Sequence, residues 1–239
     1  MALRLFVQMP LSPGREMALS AGAARHAQVR RVQPGDALRL FDGSGGEWAA
    51  EVVAMTRSAV TVRVAQFIER DAELPIEVTL AVGMPAGERM DWLIEKATEL
   101  GVARIQPLRC ERSVLRVQGE RAERKREHWQ AVAVAAAEQC GRTKVPNIAP
   151  VLGFADYIAA CSSTDAQRWL LSPGAASKPI ALPTPGTALV LLSGPEGGMA
   201  PAEETAALAA QWQLQSLGPR ILRAETAPLA LLAWLGLSI

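Results

Sequence analysis

Residues 188–201 read Ala188-Leu189-Val190-Leu191-Leu192-Ser193-Gly194-Pro195-Glu196-Gly197-Gly198-Met199-Ala200-Pro201. The first five form an unbroken apolar run, the mark of a strand covered on both faces in a parallel sheet. Pro201 stands where a helix opens, in the first turn, where its missing N–H costs nothing. The glycine-rich loop between them therefore joins a buried strand to a helix. In an open α/β sheet, ligands meet the carboxyl ends of strands at such loops, and glycine lets the backbone approach them closely. Spacing alone leaves an ordinary strand-to-helix connection as an equal alternative. No Gly-Lys-Ser/Thr follows, and no Gly-x-Gly-x-x-Gly occurs at a strand–helix junction, which counts against nucleoside triphosphates and dinucleotides.

Downstream, a strand predicted over Leu214 to Leu217 runs into a second loop, Leu217-Gly218-Pro219-Arg220-Ile221-Leu222-Arg223-Ala224-Glu225-Thr226. A terminal apolar helix from about Glu225 follows, with Pro228 early in it. Two such loops at neighbouring strand ends would make one pocket. Arg220, Arg223 and Glu225 bring cations and a carboxylate together, useful for binding and proton handling. A capping cluster with Glu225 at the helix N-terminus would look the same.

Upstream the alternation continues. Ile76 to Gly83 is a predicted strand. Glu88 to Leu100 is a predicted helix with Met90, Leu93, Ile94, Ala97 and Leu100 on one stripe and Gly101 as its stop. A short strand near Ile105, a long helix from about Glu120 to Cys140, and a strand over Arg168 to Leu171 complete an α/β unit with a mostly parallel sheet. The polar stretch Glu69 to Pro75 separates it from a different pattern, so residues 1–72 and 73–239 are expected to form two domains. In the first, Ala37 to Phe41, the turn Asp42 to Gly46, Trp48 to Met55 and Ser58 to Phe67 predict hairpins. Val60, Val62 and Val64 should share the core face. A short helix over Ala23 to Val32, stopped by Pro34-Gly35, precedes them, and a small barrel is the expected outcome.

With 239 residues, 49% of them hydrophobic, the chain can bury a proper core. The opening residues contain no charged region followed by a long apolar stretch, so a cytoplasmic location is expected. The apolar run Ala227 to Ile239 is too short to span a bilayer. Three widely separated cysteines, Cys110, Cys140 and Cys161, argue against a disulfide framework, and with only His26 and His128 present, against a metal site. Net charge is only +1, but residues 104–144 carry ten bases against five acids, a pattern found both in polyanion footprints and in solvated helix faces. Hydrolase and zinc-protease templates are absent.

Four segments in order carry a resemblance: Met90 to Val102 (MDWLIEKATELGV), Glu138 to Arg142 (EQCGR), Gly194 to Gly198 (GPEGG) and Leu217 to Thr226 (LGPRILRAET). In these the sequence resembles the bacterial small-subunit (16S) ribosomal RNA uridine-N3 methyltransferase family, within the SPOUT superfamily of knotted methyltransferases. The resemblance covers essentially the whole chain. It implies a small PUA-like RNA-binding β-barrel followed by a SPOUT domain with a trefoil knot, and a homodimer whose active site draws on both subunits. The cofactor implied is S-adenosyl-L-methionine, without a metal, and the partner is ribosomal RNA or the small ribosomal subunit.

Mapped onto this chain, the resemblance puts the methyl donor against Leu171, Ser172 and Pro173. It adds the strand end and loop Leu192, Ser193, Gly194, Pro195, Glu196, Gly197 and Gly198, then Leu217, Gly218, Ile221, Leu222 and Arg223. RNA contacts are implied for Arg4, Arg30, Arg31, Lys96, Arg112 and Arg142, with Glu95 beside the catalytic face. Arg223 and Glu225 are the implied catalytic pair. The chain departs from the family at Ser193, where an aliphatic residue is common, at Arg30, within a usually apolar stretch, and at Pro228. Rival readings are an RNA-binding assembly factor that has lost methyl transfer, and a SPOUT enzyme acting on another nucleotide.

Overall fold

The computed structural model describes residues 2–161, 165–173 and 180–238. The chain divides into two compact units, residues 1–73 with 137–145, and residues 74–136 with 146–239.

The first unit holds β1 (Leu3–Phe6), β2 (Glu16–Ala18), α1 (Ala21–Val29), β3 (Ala37–Phe41), β4 (Glu47–Met55) and β5 (Val60–Ile68). They form a five-stranded sheet in the order β1-β3-β4-β5-β2. Val60, Val62 and Val64 lie on its buried face with Leu5, Leu38, Leu40 and Val52, as period-two alternation requires. Helix α1 starts two residues earlier than expected because the Ser20 hydroxyl accepts the Ala23 amide at 3.3 Å, capping it. It also ends earlier, where Arg31 turns left-handed (φ 58°) before Pro34 is reached. Strand β1, absent from the expectations, pairs parallel with β3.

The second unit holds β6 (Glu77–Gly83), α2 (Arg89–Glu99), β7 (Arg104–Arg109), α3 (Gly119–Cys140), β8 (Asn147–Ile148) and β9 (Leu152–Gly153). It continues with α4 (Phe154–Cys161), β10 (Gln167–Leu171), β11 (Ala188–Ser193), α5 (Pro201–Ala209), β12 (Gln213–Gln215) and α6 (Thr226–Ser238). The last turn of α3, from Ala137, belongs to the first unit. The strands form one sheet, β12-β10-β11-β6-β7-β8, with β9 also on β7, and every described pairing is parallel. Strands β6 and β11 lie at its centre, which is why both are apolar on consecutive residues rather than alternating.

On α2, Met90, Leu93, Ile94 and Ala97 of the expected stripe are fully buried, while Leu100, at the helix C-cap, is only half-buried. Trp129 of α3 is buried too and donates its indole N–H to Asp91 Oδ1 at 3.1 Å; His128 meets the other carboxylate oxygen at 2.7 Å. Helix α4 has no counterpart among the expectations, although Phe154, Tyr157, Ile158 and Cys161 follow helical spacing and are its buried residues. Strand β12 stops at Gln215, short of the predicted Leu217, because Gly218 (φ 99°) and Pro219 turn the chain away. Pro228 occupies the third position of α6, in the first turn, where no intrahelical donor is needed, so it begins the helix without kinking it.

Candidate active site

The two glycine-bearing loops come together, but not across adjacent strands. Strand β10 lies between β11 and β12, and its own end, Leu171 to Pro173, fills the middle of the site. Three parallel strands thus deliver three loops to one cleft of about 530 Å3. That is the position and size expected of a small-molecule site in an open α/β sheet.

Each wall has an identifiable local cause. Ser172 extends the β10–β12 ladder, its amide donating to the Gln215 carbonyl at 3.0 Å, while its hydroxyl lies 3.4 Å from Glu204 Oε2. The turn after β11 closes when the Gly198 amide donates to the Pro195 carbonyl at 2.8 Å, with Gly198 at φ 70°. A Cβ on Gly194 would lie 2.9 Å from the Met199 nitrogen, so glycine there allows the loop to fold back on itself. Glu196 anchors the loop, accepting the Ala86 amide at 2.7 Å and Arg89 Nη1 at 3.3 Å. The Ser193 hydroxyl donates to the Ala224 carbonyl at 3.4 Å and links the end of β11 to the loop before α6.

The cleft is lined by Leu171, Ser172, Pro173, Ser193, Gly194, Pro195, Glu196, Gly197, Gly198, Leu217, Gly218, Ile221, Leu222, Arg223 and Glu225, all anticipated. Leu192 is the exception. It is fully buried in the core cluster with Leu108, Leu170 and Val190, because a central strand covered on both faces turns that side chain away from the loop at its end. Arg89, Met199, Glu204 and Ala227 also line the cleft without having been expected. For Arg89 the signal was its place at the start of α2, just past Gly87 (φ 63°).

Glu225 is 7% exposed, and its Oε2 is buried without a hydrogen-bond partner. A native fold rarely leaves a buried carboxylate oxygen unsatisfied, and here the residue that carries it also lines the cleft. Arg223 is exposed along the same wall.

The six arginine and lysine residues expected to touch RNA separate into different roles. Arg30 and Arg31 are exposed at the end of α1. Arg4 is buried inside the first unit: Nε bonds Glu47 Oε2 at 3.0 Å, and the Nη atoms bond the carbonyls of Ala137, Glu138 and Arg142 at 3.0, 3.1 and 2.9 Å. The guanidinium also sits 4.8 Å from the centre of the Phe41 ring. Arg142 is buried as well and pairs with Glu73. These two arginines bond carboxylates and carbonyls of their own unit, whereas Arg30 and Arg31 stand exposed; a charge count along the chain cannot distinguish the two situations.

Lys96 is held by Glu95 and Glu99, each at 2.7 Å, and those hydrogen bonds raise its pKa further. Arg112 supports the glycine loop from below, donating to the carbonyls of Gly197 and Met199 at 3.1 and 3.4 Å. Among the described residues no three of His, Cys, Asp and Glu converge as cation ligands, and no helix is long and apolar enough to cross a membrane.

Comparison with known proteins gives a consistent picture. Residues 72–236 match the RNA methyltransferase domain family and residues 19–65 the RNA methyltransferase PUA domain family. The chain is 34% identical to Ribosomal RNA small subunit methyltransferase E of Bacillus subtilis, over 84% of this chain and 81% of that protein. A crystal structure of a Ribosomal RNA small subunit methyltransferase E from Neisseria gonorrhoeae bound to S-adenosyl methionine superposes with a TM-score of 0.92 at 35% identity, covering 98% of this chain and 96% of that one. A methyltransferase from Legionella pneumophila in complex with the same cofactor also gives 0.92, at 30% identity, covering 100% and 98%.

Proposed function

We propose that this chain, which belongs to the ribosomal RNA small subunit methyltransferase E family, transfers a methyl group from S-adenosyl-L-methionine to N3 of a uridine in 16S ribosomal RNA. The observation that carries the proposal is the single cleft formed by the ends of β10, β11 and β12.

The residues present suit the donor. Glycines at 194, 197, 198 and 218 leave backbone accessible, Leu171 and Leu222 offer apolar walls to an adenine ring, and the Glu196 and Glu204 carboxylates can accept from hydroxyl or ammonium groups. When bound, S-adenosylmethionine supplies a methyl carbon that is already electrophilic. The protein then has to align the acceptor nitrogen with it and remove the N3 proton, which uracil largely retains at neutral pH. Glu225, with its unsatisfied oxygen, is the proton acceptor in this reading. Arg223 stabilises negative charge developing on the uracil carbonyl oxygens. A new N–CH3 bond replaces the S–CH3 bond, the proton goes to the carboxylate, and the sulfur leaves as a neutral thioether.

N3 lies on the pairing edge, so the target base must be unpaired or extruded. We assign RNA docking to residues 1–72 as a PUA-like domain, with Arg30 and Arg31 as phosphate contacts, and methyl transfer to residues 73–239. Binding then weakens as salt rises. A trefoil knot through the cleft loops, a homodimer with a composite active site and a cytoplasmic location complete the proposal. The deciding experiment incubates the protein with the donor and small ribosomal subunits lacking the modification, then maps the RNA by mass spectrometry. One added methyl on a uridine, blocking reverse transcription as an N3 substituent does, is the expected result. A methyl on another base or at another uridine position overturns the N3 assignment, and donor binding without transfer overturns the activity.

A further inference from the structure

Beside the donor cleft lies a second hollow of about 290 Å3, lined by Glu88, Arg89, Trp92, Glu225 and Thr226. Arg89 and Glu225 line both cavities, so the two share a wall. Trp92 is 47% exposed, although it sits on a helix whose opposite stripe is fully buried. Arg89 and Trp92 stand three residues apart and so project from the same side of α2. The unsatisfied oxygen of Glu225 belongs to the residue at this junction.

We propose that this hollow receives the acceptor base: a flipped-out pyrimidine stacks on the Trp92 indole, Glu225 accepts its ring N–H, and Arg89 donates to a flanking carbonyl. The inference rests on the larger cleft being the donor site. Each group matches one property of such a base. A π-face binds any base by stacking. A carboxylate accepts from a ring N–H and repels a bare ring nitrogen, which favours uracil over cytosine, whose N3 carries no proton. A guanidinium on the carbonyl side completes the donor–acceptor pattern of the uracil edge. Arg89 is already oriented by Glu196, so the loop that contacts the donor also positions the group that contacts the acceptor.

The test uses Trp92→Ala, Trp92→Phe and Arg89→Gln in the full chain, with donor binding followed by calorimetry and methyl transfer to small subunits followed by kinetics. Trp92→Ala is expected to bind the donor as wild type does and to lose about tenfold or more in kcat/KM for RNA, while Trp92→Phe recovers most of it. Arg89→Gln should lower the same ratio. Separately, 4-thiouridine at the target position should photo-crosslink to the peptide carrying Trp92. Full activity in Trp92→Ala, a loss that Trp92→Phe does not repair, a changed sedimentation coefficient accompanying the loss, or a crosslink outside α2 and the 217–226 loop would each overturn the proposal. If wild type itself transfers no methyl, the proposed function fails instead, and the two failures are told apart by that control.

Discussion

A Cβ placed on Gly83, the last residue of β6, would lie 2.5 Å from Cδ of Pro195 and 2.7 Å from its nitrogen. The central strand therefore ends directly against the glycine loop that walls the cleft, and no side chain fits between them. Gly83→Ala should push residues 193–198 outward, lower stability by about 1–3 kcal/mol and weaken donor binding. Urea denaturation and calorimetric titration check both. Unchanged donor affinity would mean that the loop can shift without cost to the cleft.

Replacing Glu225 by Gln keeps the volume and removes the carboxylate proposed as the base. Donor affinity should stay near wild type while the transfer rate falls by about 10²-fold or more, the usual scale for a lost general base. Arg223→Ala should reduce the rate without unfolding the protein, since its side chain is exposed. Wild-type rates in both variants, with donor binding intact, would remove these residues from the chemistry.

Arg4 and Glu47 form a buried ion pair, with side chains 8% and 7% exposed. Arg4→Ala would remove this pair and the guanidinium's bonds to the carbonyls of Ala137, Glu138 and Arg142, while Glu47 keeps the longer contact to Arg39 at 3.5 Å. A stability loss of about 3 kcal/mol is expected, measured by urea denaturation. If RNA affinity fell with stability unchanged, Arg4 would be an RNA contact after all.

Burial, with the nearby charge of Glu203 second, pushes the Cys110 thiol up to about 12, against a contrary hydrogen bond from Ser113. The folded pKa lies above the unfolded one, so this contribution to stability is complete below about pH 9 and declines as pH rises towards about 12. A Cys110→Ala variant should show a flatter loss of stability over that range in pH-dependent denaturation. At pH 8, iodoacetamide should label Cys140, which is only partly buried, well before Cys110.

What could be read in the chain was whatever local pattern encodes. The apolar run 188–192, the stripe on α2, the valines of β5 and the proline at the head of α5 each reflect burial over a few residues, and each stands in the structure where its periodicity puts it. Short elements without a long pattern escaped: β1 has four residues and β8 and β9 two each. They are held by pairing with distant strands, and no local signal announces them.

The sequence by itself determined the longer strands and most of the helices, and that glycine-bearing loops follow the buried strands, because burial on one or both faces imposes a period on neighbouring residues. Only the tertiary structure decided that β10 inserts between β11 and β12, that Leu192 turns into the core, that Arg4 is locked in its unit, and that Arg89 and Glu225 border two cavities at once. Those outcomes depend on contacts between residues tens to more than a hundred positions apart. Charge and hydropathy read along a line carry no record of which partner completes a pair.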